Sequence, residues 1–204
     1  MPILIMVIIM KICFGSVGII LIHGLSRDIN EIRPLSKRLR LLGYKVKTPL
    51  LREKKTSFGD WFKNVENTFL ELRQSCKDII IIGYSMGGLL SLYLASKYKV
   101  KGLITLNTPI FLSDFFRQYT TLKYLPIITY LKFRKLLKKI KKLIPQIRCD
   151  ISINQSINEH FHLSRSTNYL YNKIQCKIKK RLFYKNYRSI DIMIDLVKYI
   201  EDII

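Results

Sequence analysis

The stretch that decides the fold of this chain is Ile79-Ile80-Ile81-Ile82-Gly83-Tyr84-Ser85-Met86-Gly87-Gly88-Leu89-Leu90. Its four consecutive isoleucines predict a strand buried on both faces, and the apolar residues after Gly88 predict a buried helix. Ser85 then lies at the apex of a sharp turn. So tight a turn has no room for a Cβ atom two residues to either side of the serine. This explains why positions 83 and 87 are both glycine. The pattern predicts a nucleophile elbow, and an ordinary helix N-cap is the alternative for Ser85.

Strand and helix patterns alternate along the rest of the chain. Short β-branched or apolar runs predict strands at 6–14, 17–22, 44–48, 101–106, 147–154 and 177–184. Amphipathic spacing predicts helices at 29–42, 60–73, 166–174 and 190–204. The last helix is predicted to have Ile190, Met193, Ile194, Val197 and Ile200 on one face. The alternation predicts an α/β fold in one domain, 1–204, whose mostly parallel sheet has helices on both faces.

One segment, from about 111 to 146, does not fit this alternation. Its apolar residues recur at helical spacing on one side: Phe133, Leu136, Leu137, Ile140, Leu143 and Ile144. Basic residues fill the opposite side: Lys132, Arg134, Lys135, Lys138, Lys139, Lys141 and Lys142. The pattern predicts a basic amphipathic helix in a small helical cap. Two interpretations are open, a cap helix whose lysines are merely solvated and a lid whose residues 132–142 contact an anionic membrane surface.

The composition describes a basic, folded protein. The 204 residues suffice for one sizeable core, and 49% hydrophobic residues predict a globular chain. A net charge of +22 raises the question of a nucleic-acid partner, because clustered basic residues release counterions from phosphates. The basic residues are instead spread along the whole chain, without a nucleic-acid-binding motif. We therefore expect no specific nucleic-acid partner and a basic surface that favours acidic partners or membranes.

The cysteines and the first residues bear on the compartment. Cys13, Cys76, Cys149 and Cys176 are far apart and lack metal-ligand spacing, so we expect reduced thiols and neither a metal nor another cofactor. This predicts a cytoplasmic protein, with peripheral membrane association as the alternative. The apolar residues 1–10 have no preceding basic residue and no cleavage site, and the run is shorter than a membrane span. A first strand, a misassigned start and an N-terminal anchor are the open interpretations.

Five motifs in this order make the chain resemble the α/β-hydrolase superfamily, and within it the small bacterial carboxylesterases and monoacylglycerol lipases. The motifs, which cover about 17–112, are His23-Gly24-Leu25, Leu42-Gly43-Tyr44, Asp60-Trp61, the hexapeptide 83–88 and Thr108-Pro109. The resemblance implies that Ser85 is the nucleophile and that the backbone N–H groups of Leu25 and Met86 form the oxyanion hole. It also implies that His23 and Gly24 support the oxyanion loop, so His23 is not the catalytic base.

The resemblance further implies an acid and a base, in the chain order Ser, acid, His. Glu159 stands where the family places its acid, and a surface glutamate is the alternative. The family's histidine belongs in the loop 184–189, which contains none, and no histidine follows His162. His160 or His162 would have to supply the base, with Glu159 or Asp114 orienting it, since triads are defined by geometry and not by chain order. Otherwise both are ordinary surface histidines.

Two functions compete. The first is a serine hydrolase that cleaves carboxylic esters or monoacylglycerols through an acyl-Ser85 intermediate. The hydrolytic activity is weakened if the base is absent, because a serine hydroxyl without a base is a poor nucleophile. The second is a catalytically decayed relative that binds lipid, a membrane surface or a protein partner through its pocket and basic cap. Thioester or peptide cleavage is a less favoured third option. Acyl chain length and oligomeric state are open.

Overall fold

The computed structural model describes residues 17–24, 32–51, 57–114, 127–157, 164–185 and 190–204. Some predicted features lie outside these ranges. They are the strand at 6–14 and the interpretation of residues 1–10, Leu25 of the oxyanion hole, and the candidate acid and bases Glu159, His160 and His162. These features stay predictions.

Strands and helices alternate along the described chain, as the sequence predicts. The strands are β1 (Val17–Ile22), β2 (Lys45–Lys47), β3 (Asp78–Tyr84), β4 (Gly102–Leu106), β5 (Asp150–Ser156) and β6 (Lys179–Tyr184). The helices are α1 (Arg33–Leu41), α2 (Phe58–Arg73), α3 (Met86–Lys97), α4 (Ile127–Leu143), α5 (Ser164–Lys173) and α6 (Ile190–Ile203). A 3-10 turn, Ile144–Gln146, follows α4.

The six strands form one parallel sheet in the order β2-β1-β3-β4-β5-β6. β3 lies between β1 and β4, and its residues 79–84 are all buried. In a parallel sheet the carboxyl ends of all strands lie at one edge, which is where ligands bind in open α/β folds. The segments that follow β1, β3, β4 and β5 therefore meet at the same edge. The predicted parallel sheet is confirmed.

Helices cover both faces of the sheet. α1 and α6 pack on one face, around a core that includes Leu39, Ile80 and Tyr199. α2, α3, α4 and α5 pack on the other face, around a core that includes Phe69, Ile81 and Ile140. The sheet is thus buried between two apolar layers, which explains the continuous apolar runs of its central strands. The predicted fold class is confirmed.

Two helices begin at other residues than predicted, and local side chains explain both differences. Ser57 and Asp60 form a capping box, in which each side chain accepts a hydrogen bond from the other residue's backbone N–H, so α2 begins before Asp60. α1 begins at Arg33, later than predicted, because Pro34 suits the first turn of a helix and not its interior. Gly43, with a φ of 92°, ends α1 as predicted.

The predicted apolar face of α6 contacts the core only in part, since Met193 and Val197 are half-buried and pack against it. Of the predicted residues whose burial the structure describes, only Ile200 is buried, and Ile194 is 59% exposed. The buried residues of α6 are Ile192, Leu196, Tyr199, Ile200 and Ile203. Apolar residues surround most of this helix, so spacing alone is compatible with more than one apolar face. Packing of Leu196 and Tyr199 into the core on this side of the sheet selects the observed face.

α4 carries the predicted basic amphipathic pattern. The buried residues of α4 and the turn after it are Phe133, Leu136, Leu137, Ile140 and Ile144, which belong to the same core as α3. Leu143, predicted on this side, is half-buried, and so is Lys141, whereas the other basic residues between 132 and 142 are exposed. Within the described ranges, no helix is long and apolar enough to cross a membrane. The bounds of the cap, 111–146, stay a prediction.

Candidate active site

Ser85 lies between β3 and α3 in a strained backbone conformation. Its φ of 53° and ψ of −113° are unusual for a residue with a Cβ atom. The Ser85 N–H donates to the Leu106 carbonyl at 2.7 Å, and the Ser85 carbonyl accepts from the Gly88 N–H at 3.0 Å. The side chain makes no capping hydrogen bond to α3, which argues against the N-cap interpretation. The sharp turn that the G-x-S-x-G pattern predicts is therefore present.

The two elbow glycines lie against backbone atoms. A Cβ atom added to Gly83 would lie 2.4 Å from the Gly87 carbonyl oxygen, and one added to Gly87 would lie 2.2 Å from the Ile22 carbonyl oxygen. Both distances are far inside van der Waals contact, and backbone oxygens cannot rotate away. Glycine at 83 and 87 is therefore a requirement of packing, as the sequence predicts. The contact with Ile22 also places the elbow against the end of β1.

His23 follows β1 and is 3% exposed. Its Nε2 accepts a hydrogen bond from the Leu51 N–H at 3.1 Å, and its Nδ1 lies 2.8 Å from the Gly24 carbonyl oxygen. Because Nε2 is an acceptor, we assign the proton to Nδ1, which donates to that carbonyl. The ring thus connects the chain after β1 to the chain after β2. This arrangement supports the predicted structural role of His23 and argues against a role as the base.

One of the two predicted oxyanion donors is described. Met86 is the first residue of α3 and is buried, so its N–H belongs to the helix N-terminus, where N–H groups lack acceptors within the helix. Ile22 pairs with Gly83 in the sheet, so the chain after β1 and the elbow after β3 leave neighbouring strands at the same edge. Leu25, the second predicted donor, lies outside the described residues, and the complete hole stays a prediction.

Asn107 also lies at the carboxyl ends of the strands, and the sequence did not predict it as a site residue. It follows β4 with a φ of 48°, and its Oδ1 accepts a hydrogen bond from the Ser156 N–H at 2.7 Å. The Ile157 N–H donates to the Tyr184 carbonyl at 2.7 Å. The end of β5 is therefore held from both neighbouring strands, just before the segment that carries Glu159. The sequence feature that indicates this role is an asparagine directly after a predicted strand, because asparagine tolerates the left-handed backbone conformation.

Asp114, the alternative orienting residue, is buried and has serine partners. It is 3% exposed and accepts a hydrogen bond from the Ser166 hydroxyl of α5. The Ser166 Oγ also accepts from the Ile110 N–H at 2.8 Å, so this pair ties the segment after β4 to α5. These contacts give Asp114 a structural role. The triad of Ser85 with Glu159 and His160 or His162 stays a prediction.

The metal-ligand residue types and the cysteines of the described part of the chain bear on a metal centre and on a reactive thiol. It contains no group of His, Cys, Asp and Glu that could hold a metal ion. The described cysteines, Cys76, Cys149 and Cys176, are free thiols. Burial, with a smaller contribution from Cys176, raises the pKa of Cys149 to about 12. Such a thiol is protonated at neutral pH and is a weak nucleophile.

Comparison by sequence gives no match to a family model, but it identifies relatives. The chain is 34% identical over 105 residues to a thermostable monoacylglycerol lipase of Bacillus sp. strain H-257, across 47% of this chain and 42% of the lipase. It is 23% identical over 210 residues to a carboxylesterase of Bacillus subtilis strain 168, across 84% of this chain and 83% of the esterase. The match to the lipase thus spans less than half of that relative's length.

Solved structures of lipolytic enzymes share the architecture. A metagenome-derived lipolytic enzyme matches with a TM-score of 0.76 at 19% identity, across 93% of this chain and 94% of the other. A soluble variant of monoglyceride lipase from Saccharomyces cerevisiae matches with a TM-score of 0.70 at 13% identity, across 92% of this chain and 86% of the other. At these identities the likeness shows the fold. The chain therefore has the α/β-hydrolase fold, and its relatives by sequence include a monoacylglycerol lipase and a carboxylesterase.

Proposed function

We propose that this protein is a serine hydrolase that cleaves carboxylic esters, monoacylglycerols included, through an acyl-Ser85 intermediate. The observation that carries the proposal is the backbone of Ser85, held at a φ of 53° on the turn between β3 and α3. Strain of this kind persists only where the surrounding structure imposes it, and it is common at active sites. The names of the sequence relatives support ester hydrolysis over other reactions of the fold.

The proposed reaction uses two steps. Ser85 Oγ attacks the ester carbonyl carbon while its proton passes to a base, and the alcohol leaves with a proton, which gives the acyl-serine. Water then attacks the acyl-serine and releases the acid. In both steps the negative charge on the carbonyl oxygen is stabilised by the N–H groups of Met86 and Leu25, and such donors contribute roughly 3–4 kcal/mol each.

The base is proposed to come from the segment 158–163. This segment follows β5, so it leaves the sheet at the same edge as the elbow, and it carries Glu159, His160 and His162. β4 separates β5 from β3 in the sheet. The base matters, because its removal from a serine protease lowers turnover by about a millionfold.

Covalent labelling tests this proposal. We expect a fluorophosphonate probe to label the wild-type protein and p-nitrophenyl esters to be hydrolysed, and we expect Ser85→Ala to lose both activities. Ser96→Ala, which changes a serine on the same helix, is the matched control and should keep both. His160→Ala and His162→Ala, made separately, identify the base by the loss of turnover. A wild-type protein without labelling, or equal labelling of Ser85→Ala, would overturn the proposal.

A second candidate function is binding of an anionic membrane surface. It is favoured by the absence of a histidine from the loop 184–189 and by a row of exposed lysines on α4, Lys132, Lys135 and Lys142. These lysines recur at helical spacing, so they lie on one side of the helix. Each basic residue near an anionic surface contributes about 1 kcal/mol to binding.

Vesicle flotation tests this second function. Wild-type protein should float with phosphatidylserine vesicles and should not float with neutral phosphatidylcholine vesicles. The triple variant K132E/K135E/K142E should lose flotation, whereas the control K37E/K63E/K77E, with the same change of net charge at exposed positions elsewhere, should keep most of it. Equal losses in the two variants would attribute binding to net charge and would reject a role for α4.

A further inference from the structure

A pocket of about 400 Å³ lies between α4, the segment after β4 and the start of α5. Its apolar lining comes from Phe111, Leu112 and Leu137. Four basic side chains also line it: Arg134, Lys138, Lys141 and Arg165. The volume lies in the range of small-molecule sites, which is roughly 300–1,000 Å³. None of these residues belongs to the elbow or to the proposed triad.

Two of the cations stack on one aromatic ring. The Nζ of Lys141 lies 3.9 Å from the centroid of the Phe111 ring, and the Cζ of Arg165 lies 4.0 Å from it. Both distances are well within the range of cation–π attraction, so each of the two cations is held against the ring. Burial lowers the pKa of Lys141 below its ordinary value, and the positive charge of Arg165 lowers it further.

The positive charge of the pocket has little compensation. The salt bridges within the described ranges involve Lys47, Lys97 and Lys180, and none of the pocket cations. One carboxylate, Asp114, acts on Lys141, and it accepts a hydrogen bond from Ser166. The described residues that line the pocket include four cations and no carboxylate.

We propose that this pocket binds a small amphiphilic phosphate, with the phosphate bound by Lys141 and Arg165 and the aliphatic chain against Leu112 and Leu137. Arginine matches phosphate geometry through paired N–H donors, and lysine adds a point charge. A phosphate monoester carries a charge of about −1.5 to −2 at neutral pH, which the excess positive charge can accommodate. The apolar side chains of Leu112 and Leu137 explain why an amphiphile is preferred over a free ion. The inference does not depend on the activity of Ser85.

Calorimetric titration of the full chain tests the inference with three probes. Octyl phosphate, used below its micelle concentration, is expected to bind. Inorganic phosphate, which lacks the chain, and octyl glucoside, which lacks the charge, are each expected to bind at least about tenfold more weakly. The variant K141M/R165M should weaken octyl phosphate binding at least about tenfold, because it removes both cations that contact the phosphate. The control K63M/K77M removes the same charge from exposed positions outside the pocket and outside α4, and it should bind almost as wild type does.

Four outcomes would overturn the inference. Equal affinity for inorganic and octyl phosphate would indicate an adventitious ion only, and equal affinity for octyl glucoside would indicate an apolar groove only. Equal weakening by the two double variants would indicate net charge alone. Flotation with phosphatidic acid vesicles without binding of monomeric octyl phosphate would indicate a membrane surface. If thermal denaturation shows that K141M/R165M does not fold, the single variants K141M and R165M replace it, and each should weaken octyl phosphate binding because each removes one cation that contacts the phosphate.

Discussion

The Cα atom of Gly87 packs against the carbonyl oxygen of Ile22, so closely that an added Cβ atom would lie 2.2 Å from that oxygen. This contact joins the first turn of α3 to the end of β1. It brings together the two chain segments that carry the proposed oxyanion donors, Met86 and Leu25. The spacing of the G-x-S-x-G motif is thus a consequence of close backbone packing on both sides of the serine.

Gly87→Ala is expected to destabilise the protein. The new methyl group meets a backbone oxygen, which can only move together with β1 or α3, and such overpacking costs about 1–3 kcal/mol. The free energy of unfolding from urea denaturation measures this loss. Gly59→Ala is the control, since Gly59 is exposed in the first turn of α2, and it should change stability by less than about 1 kcal/mol. Equal effects of the two substitutions would contradict the packing argument.

Ser85→Gly is expected to be more stable than Ser85→Ala, by about 1 kcal/mol. Alanine keeps the Cβ atom that makes a φ of 53° unfavourable, whereas glycine adopts this region freely. Strain of this kind costs roughly 1–3 kcal/mol, and Ser85→Gly relieves it. The extra conformational freedom of glycine in the unfolded chain lowers the stability of the same variant by about 0.4–1 kcal/mol, which offsets part of this relief. At an ordinary buried position the order of stability is reversed, so thermal denaturation of the two variants decides. A more stable Ser85→Ala would show that the backbone of Ser85 is not strained.

Most of the fold could be predicted because hydrophobic patterning and the G-x-S-x-G turn are local properties of the sequence. Ile79 to Ile82 sit in the centre of the sheet, where only apolar side chains fit, so their pattern has one interpretation. α6 shows the limit of this reasoning. Its apolar residues cover more of the circumference than the core contacts, and the burial of Tyr199 depends on the shape of a core formed by distant parts of the chain.

The candidate site could be predicted only in part, for a related reason. The motif identifies Ser85, because the turn and the chemistry lie within six residues of sequence. The bond from Ser156 to Asn107, and the bond from Ser166 to Asp114, each join residues about 50 positions apart. The pocket beside Phe111 likewise combines α4 with the start of α5. No local pattern encodes such pairings, so they require the tertiary structure.

Asn107 is expected to contribute to stability through its side chain and its backbone. Asn107→Ala leaves the buried Ser156 N–H without its acceptor, at a cost of about 1–3 kcal/mol, and places alanine at a φ of 48°, at a further cost of about 1–2 kcal/mol. Asn107→Gly loses the acceptor and tolerates the φ. Urea denaturation should therefore rank wild type above Asn107→Gly and Asn107→Gly above Asn107→Ala. Equal stability of the two variants would argue against backbone strain at this residue.

Glu66 on α2 accepts hydrogen bonds from Lys97 and Tyr98 at the end of α3, which predicts a pH-dependent contribution to stability. Burial alone would raise the pKa of Glu66, but the hydrogen bonds from Lys97 and Tyr98 outweigh it and lower the pKa below its ordinary value. A carboxyl group whose folded pKa is lowered stabilises the protein above its unfolded pKa. This contribution is lost as the pH falls through the folded pKa.

The destabilisation caused by Glu66→Gln should accordingly be largest at neutral pH and should shrink below about pH 4, since the unfolded pKa of glutamate is about 4.3. Urea denaturation of wild type and variant at about pH 7 and about pH 3 measures the difference. Glu71→Gln on the same helix is the control. Its ion pair with Lys47, at 3.6 Å, is exposed, so we expect a change below about 1 kcal/mol at neutral pH. A Glu66→Gln effect that is equal at the two pH values would mean that the charge of Glu66 does not stabilise the contact between α2 and α3.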